Sequence, residues 1–355
     1  MELHPEELKY AREYTKTKPF YKLTAEQLKA IRQNGRNLYH WFVNHLYLHV
    51  VINFLVLTSI FAGDYLLLIK LPGLFFGEGE GINVKIVTAM LLVGLLHGWL
   101  IYSLGIFTLH EGAAHQIIFP LKGRIAKILN IIVNNLNRLS FADPVYYAKS
   151  HMAHHAHFGE ERDKEFVNFV LPHRLWLSLI PYAWIFGFAD LINYRTTKFT
   201  RSRLLSALLG LCYHGTYGYF MANKYGLVFA IVTLGFVTPT LGFSLNQIRL
   251  FTRHNLMPLE NVHGARSFGT GFWGLFIGGG PWGQPCHWIH HLFPTIPWYQ
   301  QIILHHKVAR LLTPEQRKQW MLQPIIGFPK LFISILKELY AFEQGHQKIK
   351  LRRAL

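Results

Sequence analysis

Histidine dominates the chemistry open to this chain. Eight of its 21 histidines fall in three short clusters: His110-Glu-Gly-Ala-Ala-His115, His151-Met-Ala-His154-His155 and His287-Trp-Ile-His290-His291. The last two share the spacing H-x-x-H-H. On an α-helix, positions i, i+3 and i+4 lie on one face, so each triple projects three imidazoles to the same side. His110 and His115 are five apart and diverge by more than a third of a turn on an α-helix. They either contact different metals or sit where the helix is ending.

Eight imidazoles are too many for one metal ion, since zinc takes four ligands and catalytic zinc only three from protein. A pair of metals fits the count. Neutral imidazole suits iron, zinc and copper, and a redox-active, nitrogen-rich pair points to iron over magnesium or calcium, which prefer oxygen. The dispersed histidines (His40, His45, His49, His97, His157, His173, His214 and His263) read as packing or interface residues, and His305-His306 as a helix-surface pair. Glu260-x-x-His263 and Glu343-x-x-His346 have the spacing of carboxylate di-iron motifs, but neither lies in a long helical pattern. The 2 cysteines exclude a disulfide framework or a thiolate cluster. Cys212 reads as a buried small hydrophobe and Cys286 as a packing residue.

The elements that carry these clusters belong to a membrane protein. The chain is 51% hydrophobic and its 36 Lys+Arg exceed its 19 Asp+Glu, a formal net charge of +17. The basic residues flank the apolar runs, as on the cytoplasmic side of a membrane protein, and no nucleic-acid motif accompanies them. Residues 1–40, with eight Lys/Arg, read as a cytoplasmic segment without a signal peptide. The apolar runs 43–69 and 86–109 form a first hairpin around a loop poor in Lys/Arg, with Asp64 expected at the water boundary. Ile117–Leu139 reads as a basic amphipathic helix on the membrane surface. The runs 204–222 and 225–251 form a second hairpin, turning at Asn223-Lys224. The run 171–192 contains His173, Arg174, Pro181 and Asp190 and reads as interfacial.

The expected fold is therefore all-α and integral to the membrane: four transmembrane helices in two hairpins, with a cytoplasmic helical cap carrying the histidines. Residues 1–40 form the N-terminal segment, 41–310 the membrane domain and 311–355 a basic cytoplasmic tail. A bacterial inner membrane or the endoplasmic reticulum would house it.

With its three boxes in this order and at these separations, the chain resembles the membrane fatty-acid desaturase superfamily over residues 40–310. After the third box, His290-His291-Leu-Phe-Pro294-Thr-Ile-Pro297-Trp-Tyr299 is similar to the family's H-H-L-F-P-x-I-P-x-Y run. Asp163 and Glu165 fall where the family carries acidic residues. Arg249-Leu-Phe-Thr-Arg253-His254 resembles the setting of a further ligand, with Arg253 where an acidic residue is common. The resemblance implies a metal set of His110, His115, His151, His154, His155, His254, His287, His290 and His291 holding two iron ions, with no catalytic residue beyond these ligands. It also implies O2 as co-substrate and a lipid acyl chain as substrate, which loses two hydrogens from neighbouring carbons while oxygen leaves as water. Glu111, Asp143, Asp163 and Glu165 are candidates to hold the ligands' other ring nitrogens. The chain carries no haem, iron–sulfur or dinucleotide motif, so electrons come from a separate ferredoxin or cytochrome b5. Two alternatives remain open: a hydroxylase or ketolase of a fatty acyl, sphingoid or carotenoid chain on the same scaffold, and a non-catalytic membrane metal carrier.

Overall fold

The computed structural model describes residues 20–76, 83–160, 162–163, 200–254, 257–258, 260, 262–322 and 326–354, together with residue 13. The expected interfacial run 171–192 and Glu165 lie outside these residues. Among the described residues the structure is helical, with a single isolated bridge between Ser267 and Met321 and no strand. We label the helices α1 (Ala25–Asn44), α2 (Leu46–Tyr65), α3 (Val84–Ile106), α4 (Arg124–Leu136), α5 (Pro144–Ala156), α6 (Arg201–Tyr225), α7 (Leu227–His254), α8 (Phe272–Gly278), α9 (His287–Leu292), α10 (Trp298–Ala309), α11 (Pro314–Trp320) and α12 (Gly327–Ala354).

The chain divides into two compact units. One comprises His45–Ala148 and Leu177–Asn246, the other Met1–Asn44, Lys149–Trp176 and Gln247–Leu355.

The first unit is turned inside out relative to a water-soluble bundle. On α2, Tyr47, Leu48, Val51, Phe54 and Leu55 are exposed, whereas His49, Asn53 and Asp64 are buried. On α3, Leu91, Leu92, Leu95 and Leu96 face outward and His97 inward. Apolar outside and polar inside is what a hydrocarbon solvent selects, because an unpaired polar group there has no water to bond. Among the described residues, three stretches are long and apolar enough to cross a membrane: Leu46–Leu74, Val84–Ala114 and Leu227–His254. The expected fourth, α6, has the length at 25 residues, but Ser202, Ser206, His214, Thr216 and its terminal Arg and Lys residues dilute its apolar character.

Small residues let these helices approach closely. A Cβ on Gly94 would lie 2.7 Å from Val237, and one on Gly98 2.7 Å from the Thr238 carbonyl, while Thr238 Oγ1 donates to the Gly94 carbonyl at 3.2 Å. This is the four-residue small-residue spacing of membrane helix pairs. Gly226 turns the chain between α6 and α7 at φ +94°, a conformation open mainly to glycine.

Several expectations need correction. Asp64 is fully buried, not at a water boundary: its carboxylate accepts from His97 Nδ1 at 2.7 Å and from the Tyr213 hydroxyl. His97 thus has a specific partner beyond packing. Cys212 is exposed on α6 and lines a cleft of about 630 Å³ with Tyr65, Tyr213, Tyr217 and Phe220, because the helix face it occupies is left uncovered. The amphipathic helix is shorter than Ile117–Leu139. Pro120 and Gly123, at φ +98°, stop it from starting before Arg124. Ile117 and Ile118 instead lie buried in a non-helical stretch, whose carbonyls bond to His49 and Asn53 of α2. Of the His305-His306 pair, His305 is buried and only His306 lies on the surface, because the i and i+1 positions of α10 point different ways.

The second unit packs around tryptophan. Trp288 stacks on Trp320 with ring centroids 4.9 Å apart, and His263 stacks on the same Trp320 at 5.6 Å. Leu304, Val308, Ile289 and Ile31 complete this core. Trp288 and Ile289 are the two non-histidine residues inside the third box. Burying them in the core leaves His287, His290 and His291 on the opposite side of α9.

Candidate metal centre

In the unit that contains α9, the second and third boxes and His254 form two nitrogen knots. In the first, His287 Nε2 lies 2.8 Å from His254 Nε2 and 3.0 Å from His291 Nε2. In the second, His155 Nε2 lies 3.1 Å from His151 Nε2 and 2.9 Å from His290 Nε2. His154 adjoins the first knot, with its ring centroid 4.9 Å from that of His254 and 5.2 Å from that of His291. The ligating atoms of His154, His254 and His291 all lie within 4.8 Å of one another. The sequence spacing thus delivers what it promises: i, i+3 and i+4 on α5 and α9 bring six imidazoles to common ground.

The tautomers decide what such knots can be. His154 Nδ1 lies 3.0 Å from both oxygens of Asp163, and His254 Nδ1 lies 2.9 Å from the Gly264 carbonyl. A carboxylate or carbonyl only accepts, so Nδ1 carries the proton and Nε2 presents a lone pair inward. Facing lone pairs repel unless a cation lies between them. Metal–nitrogen bonds of roughly 2.0–2.2 Å at right angles would separate neighbouring donors by about 3 Å, matching the spacing found. The His154, His254 and His291 donors therefore fit nitrogen-bound metal.

Burial keeps these rings in the ligating form. Desolvation pushes His287 well below the ordinary imidazole range, with the positive charge of Arg253 acting in the same direction. His291 is lowered well below it too, first by burial and then by its neighbours His155 and His254. Neutral imidazole is the species that binds metal.

His110 and His115 belong to the other unit. They lie on a π-helical turn, Phe107–Ala114, and its C-cap. The π turn closes backbone bonds over longer spans, with His115 N donating to the His110 carbonyl at 3.1 Å. The two rings accordingly sit 4.9 Å apart instead of diverging. His110 Nδ1 is 3.0 Å from Glu111 Oε1, which leaves its Nε2 for a ligand.

Of the anticipated supporting carboxylates, Glu111 holds the His110 ring and Asp163 the His154 ring. Asp143 does other work: it accepts from Val145 N and Tyr146 N at the start of α5 and from the Ser202 hydroxyl at 2.6 Å. Glu260 pairs with His263 Nδ1 at 3.0 Å, away from either knot. Cys286 is buried, which raises its thiol pKa and suits packing.

Three supporting residues carry no sequence signal. The Gly264 carbonyl fixes His254. Gln284 Oε1 accepts from both Arg249 and Arg253, Arg253 donating at 2.7 Å, which holds the end of α7 next to His254. Phe158 packs its ring against His154, His254 and His291 at 5.1, 5.2 and 5.5 Å.

Comparison with known proteins agrees with this chemistry. The family model described as fatty acid desaturase matches residues 86–323. No curated protein and no solved structure matches the chain. The matched region spans all three boxes, His254 and most of both units, and on that basis the chain belongs to the fatty acid desaturase family.

Proposed function

We propose that the chain desaturates a lipid acyl chain with O2, at two iron ions held by His110, His115, His151, His154, His155, His254, His287, His290 and His291. The observation that carries this reading is the pair of nitrogen knots, with His154 and His254 held so that Nε2 faces inward. Bound iron would supply the oxidising power to break unactivated C–H bonds, and the protein supplies placement and exclusion of side reactions. The substrate loses one hydrogen from each of two neighbouring carbons. Dioxygen takes them together with two electrons and two protons, and two waters leave. Asp163, Glu111 and the Gly264 carbonyl keep the ligand rings aimed. The apolar exterior of α2, α3 and α7 supports an enzyme integral to the bilayer, and in this reading it has four spans and a metal centre on the cytoplasmic side. A ferredoxin or cytochrome b5 delivers the electrons.

Expression in a lipid-synthesising host, wild type against His154→Ala, tests this by lipid profiling. The wild type should yield lipid lighter by two hydrogens, and the variant none. Product heavier by one oxygen would assign hydroxylation on the same scaffold. Bound iron without oxygen consumption would assign a metal carrier.

A further inference from the structure

We propose that the exposed cationic face of α1 is the docking surface for an acidic electron-donor protein, an assignment that rests on the function proposed above. Lys29, Arg32, Arg36 and His40 are all exposed and follow one another by three, four and four residues, so they form one stripe along the helix. Glu26 is the one acidic residue in α1. Beyond the stripe, exposed Lys307 and Arg310 at the end of α10 extend the positive surface, and α10 packs against α1.

The other side of α1 is what gives this face a purpose. Its buried residues are Ile31, Gly35 and Phe42. A Cβ on Gly35 would lie 2.3 Å from Cε1 of Phe293, so the helix backbone presses directly on that ring. Phe293 closes α9, its N–H reaching the carbonyls of Ile289 at 2.9 Å and His290 at 3.1 Å. The cationic stripe is therefore only about one helix diameter, roughly 10 Å, from the third histidine box. The helix is also fixed in place: Gln27 Nε2 donates to the Leu311 carbonyl at 2.7 Å and to Gln316 Oε1 at 2.8 Å. A donor held on this face stops at a defined, short distance from the imidazoles. Each encounter oxidises the donor by one electron, and two encounters provide the pair consumed per double bond.

The occupant follows from what lies between the charges. Gln33 and Asn37 fill the stripe, and no large apolar side chain sits among its cations. The exposed apolar residues Tyr39, Trp41 and Val43 are confined to the last turns, where the chain enters α2. The contrast within this molecule is α4, where exposed Ile125, Ile128, Ile131 and Ile132 lie beside Arg124 and Lys127. That is the composition of a helix seated in lipid. From Lys29 to Arg36 the α1 face is instead polar and positively charged, suited to a solvated acidic partner that it steers and releases.

The test uses the full chain, iron-loaded, in neutral phosphatidylcholine nanodiscs. Reduced plant-type [2Fe–2S] ferredoxin and the soluble domain of cytochrome b5 serve as separate acidic probes, and photoreduced deazaflavin as a small reductant that needs no docking. In the triple variant Lys29→Glu, Arg32→Glu, Arg36→Glu, association with at least one protein donor should fall about tenfold or more at low salt. The gap to wild type should close as salt rises. Turnover with deazaflavin should be unchanged, and Lys85→Glu, at the start of α3, should behave as wild type. Equal association of variant and wild type, or no binding of either donor to a wild type that turns over with deazaflavin, overturns the docking surface and leaves the desaturase reading standing. A defect that persists with deazaflavin and depends on added anionic lipid overturns it in favour of a membrane contact. Donor binding that needs the stripe, with no double bond formed under either reductant, keeps the surface and removes the desaturase reading.

Discussion

At the scale of single residues, the centre depends on groups that aim the ligands as much as on the ligands themselves. His254 closes the first knot, 2.8 Å from His287. His254→Ala should lower iron content from two ions toward one, with a matching loss in the Mössbauer signal of the paired ions. Retention of both ions would remove His254 from the set. Gly264 is a sharper test, since it is not a ligand. A Cβ there would lie 2.5 Å or less from the Phe158 ring and 2.7 Å from the Glu260 carbonyl. Gly264→Ala must push Phe158 toward His154 and His291 or shift the carbonyl that holds His254. We expect metal affinity to fall about 10- to 100-fold, as for lost supporting contacts at other metal sites, measured by iron retention against a chelator. The clustering of six of these imidazoles was legible in the sequence, because i, i+3 and i+4 is a geometric code. His254 was legible only through resemblance. Gly264 and Gln284 were not legible, because a backbone carbonyl and a lone amide carry no pattern.

At the scale of elements, the departures from expectation share one cause: membrane and metal requirements override the ideal helix. The five-residue spacing of His110 and His115 is awkward on an α-helix, and the chain resolves it with a π turn that brings the rings to 4.9 Å. A π turn holds one residue more than the α turn it replaces. Deleting Ala114 should let Phe107–Ala113 revert to α-helix and rotate the two rings apart. The expected result is unchanged total helicity by circular dichroism with reduced iron binding, and full iron loading would show that the π turn is dispensable. The Gly94/Gly98 seam makes a second demand. Gly98→Val would drive side-chain atoms into the Thr238 carbonyl, 2.7 Å from where even a Cβ would sit. Overpacking of this kind costs about 1–3 kcal/mol, read as a lower melting temperature in detergent. Periodicity revealed that these helices exist, but which residues press on a neighbouring backbone is decided by packing that a single sequence does not record.

At the scale of the whole molecule, charge and burial make the proposed topology testable. The net charge of +17 is spread over the polar segments, whereas the described ends of the first hairpin's tip carry only Lys70 and Lys85. By the positive-inside rule the proposed topology predicts residues 29, 201 and 337 on the cytoplasmic side and residue 83 on the other. Asp64 and His97 deepen the argument. Asp64 accepts from both His97 and the Tyr213 hydroxyl with no exposed surface, so Asp64→Ala leaves two buried donors without their acceptor and should destabilise the fold by about 1–3 kcal/mol for each. A variant that accumulates at wild-type level and melts unchanged would mean the pair holds nothing together. Orientation itself can be read by labelling. With Cys212 and Cys286 replaced by serine, single cysteines at Asn83, Lys29 and Lys337 are exposed to a membrane-impermeant maleimide on intact cells. Position 83 should label at once, and positions 29 and 337 only after permeabilisation. Labelling of 29 and 83 from the same face would break the first hairpin. Labelling of 29 and 337 from opposite faces would require an odd number of crossings and remove the four-span arrangement, because the two flank every proposed span.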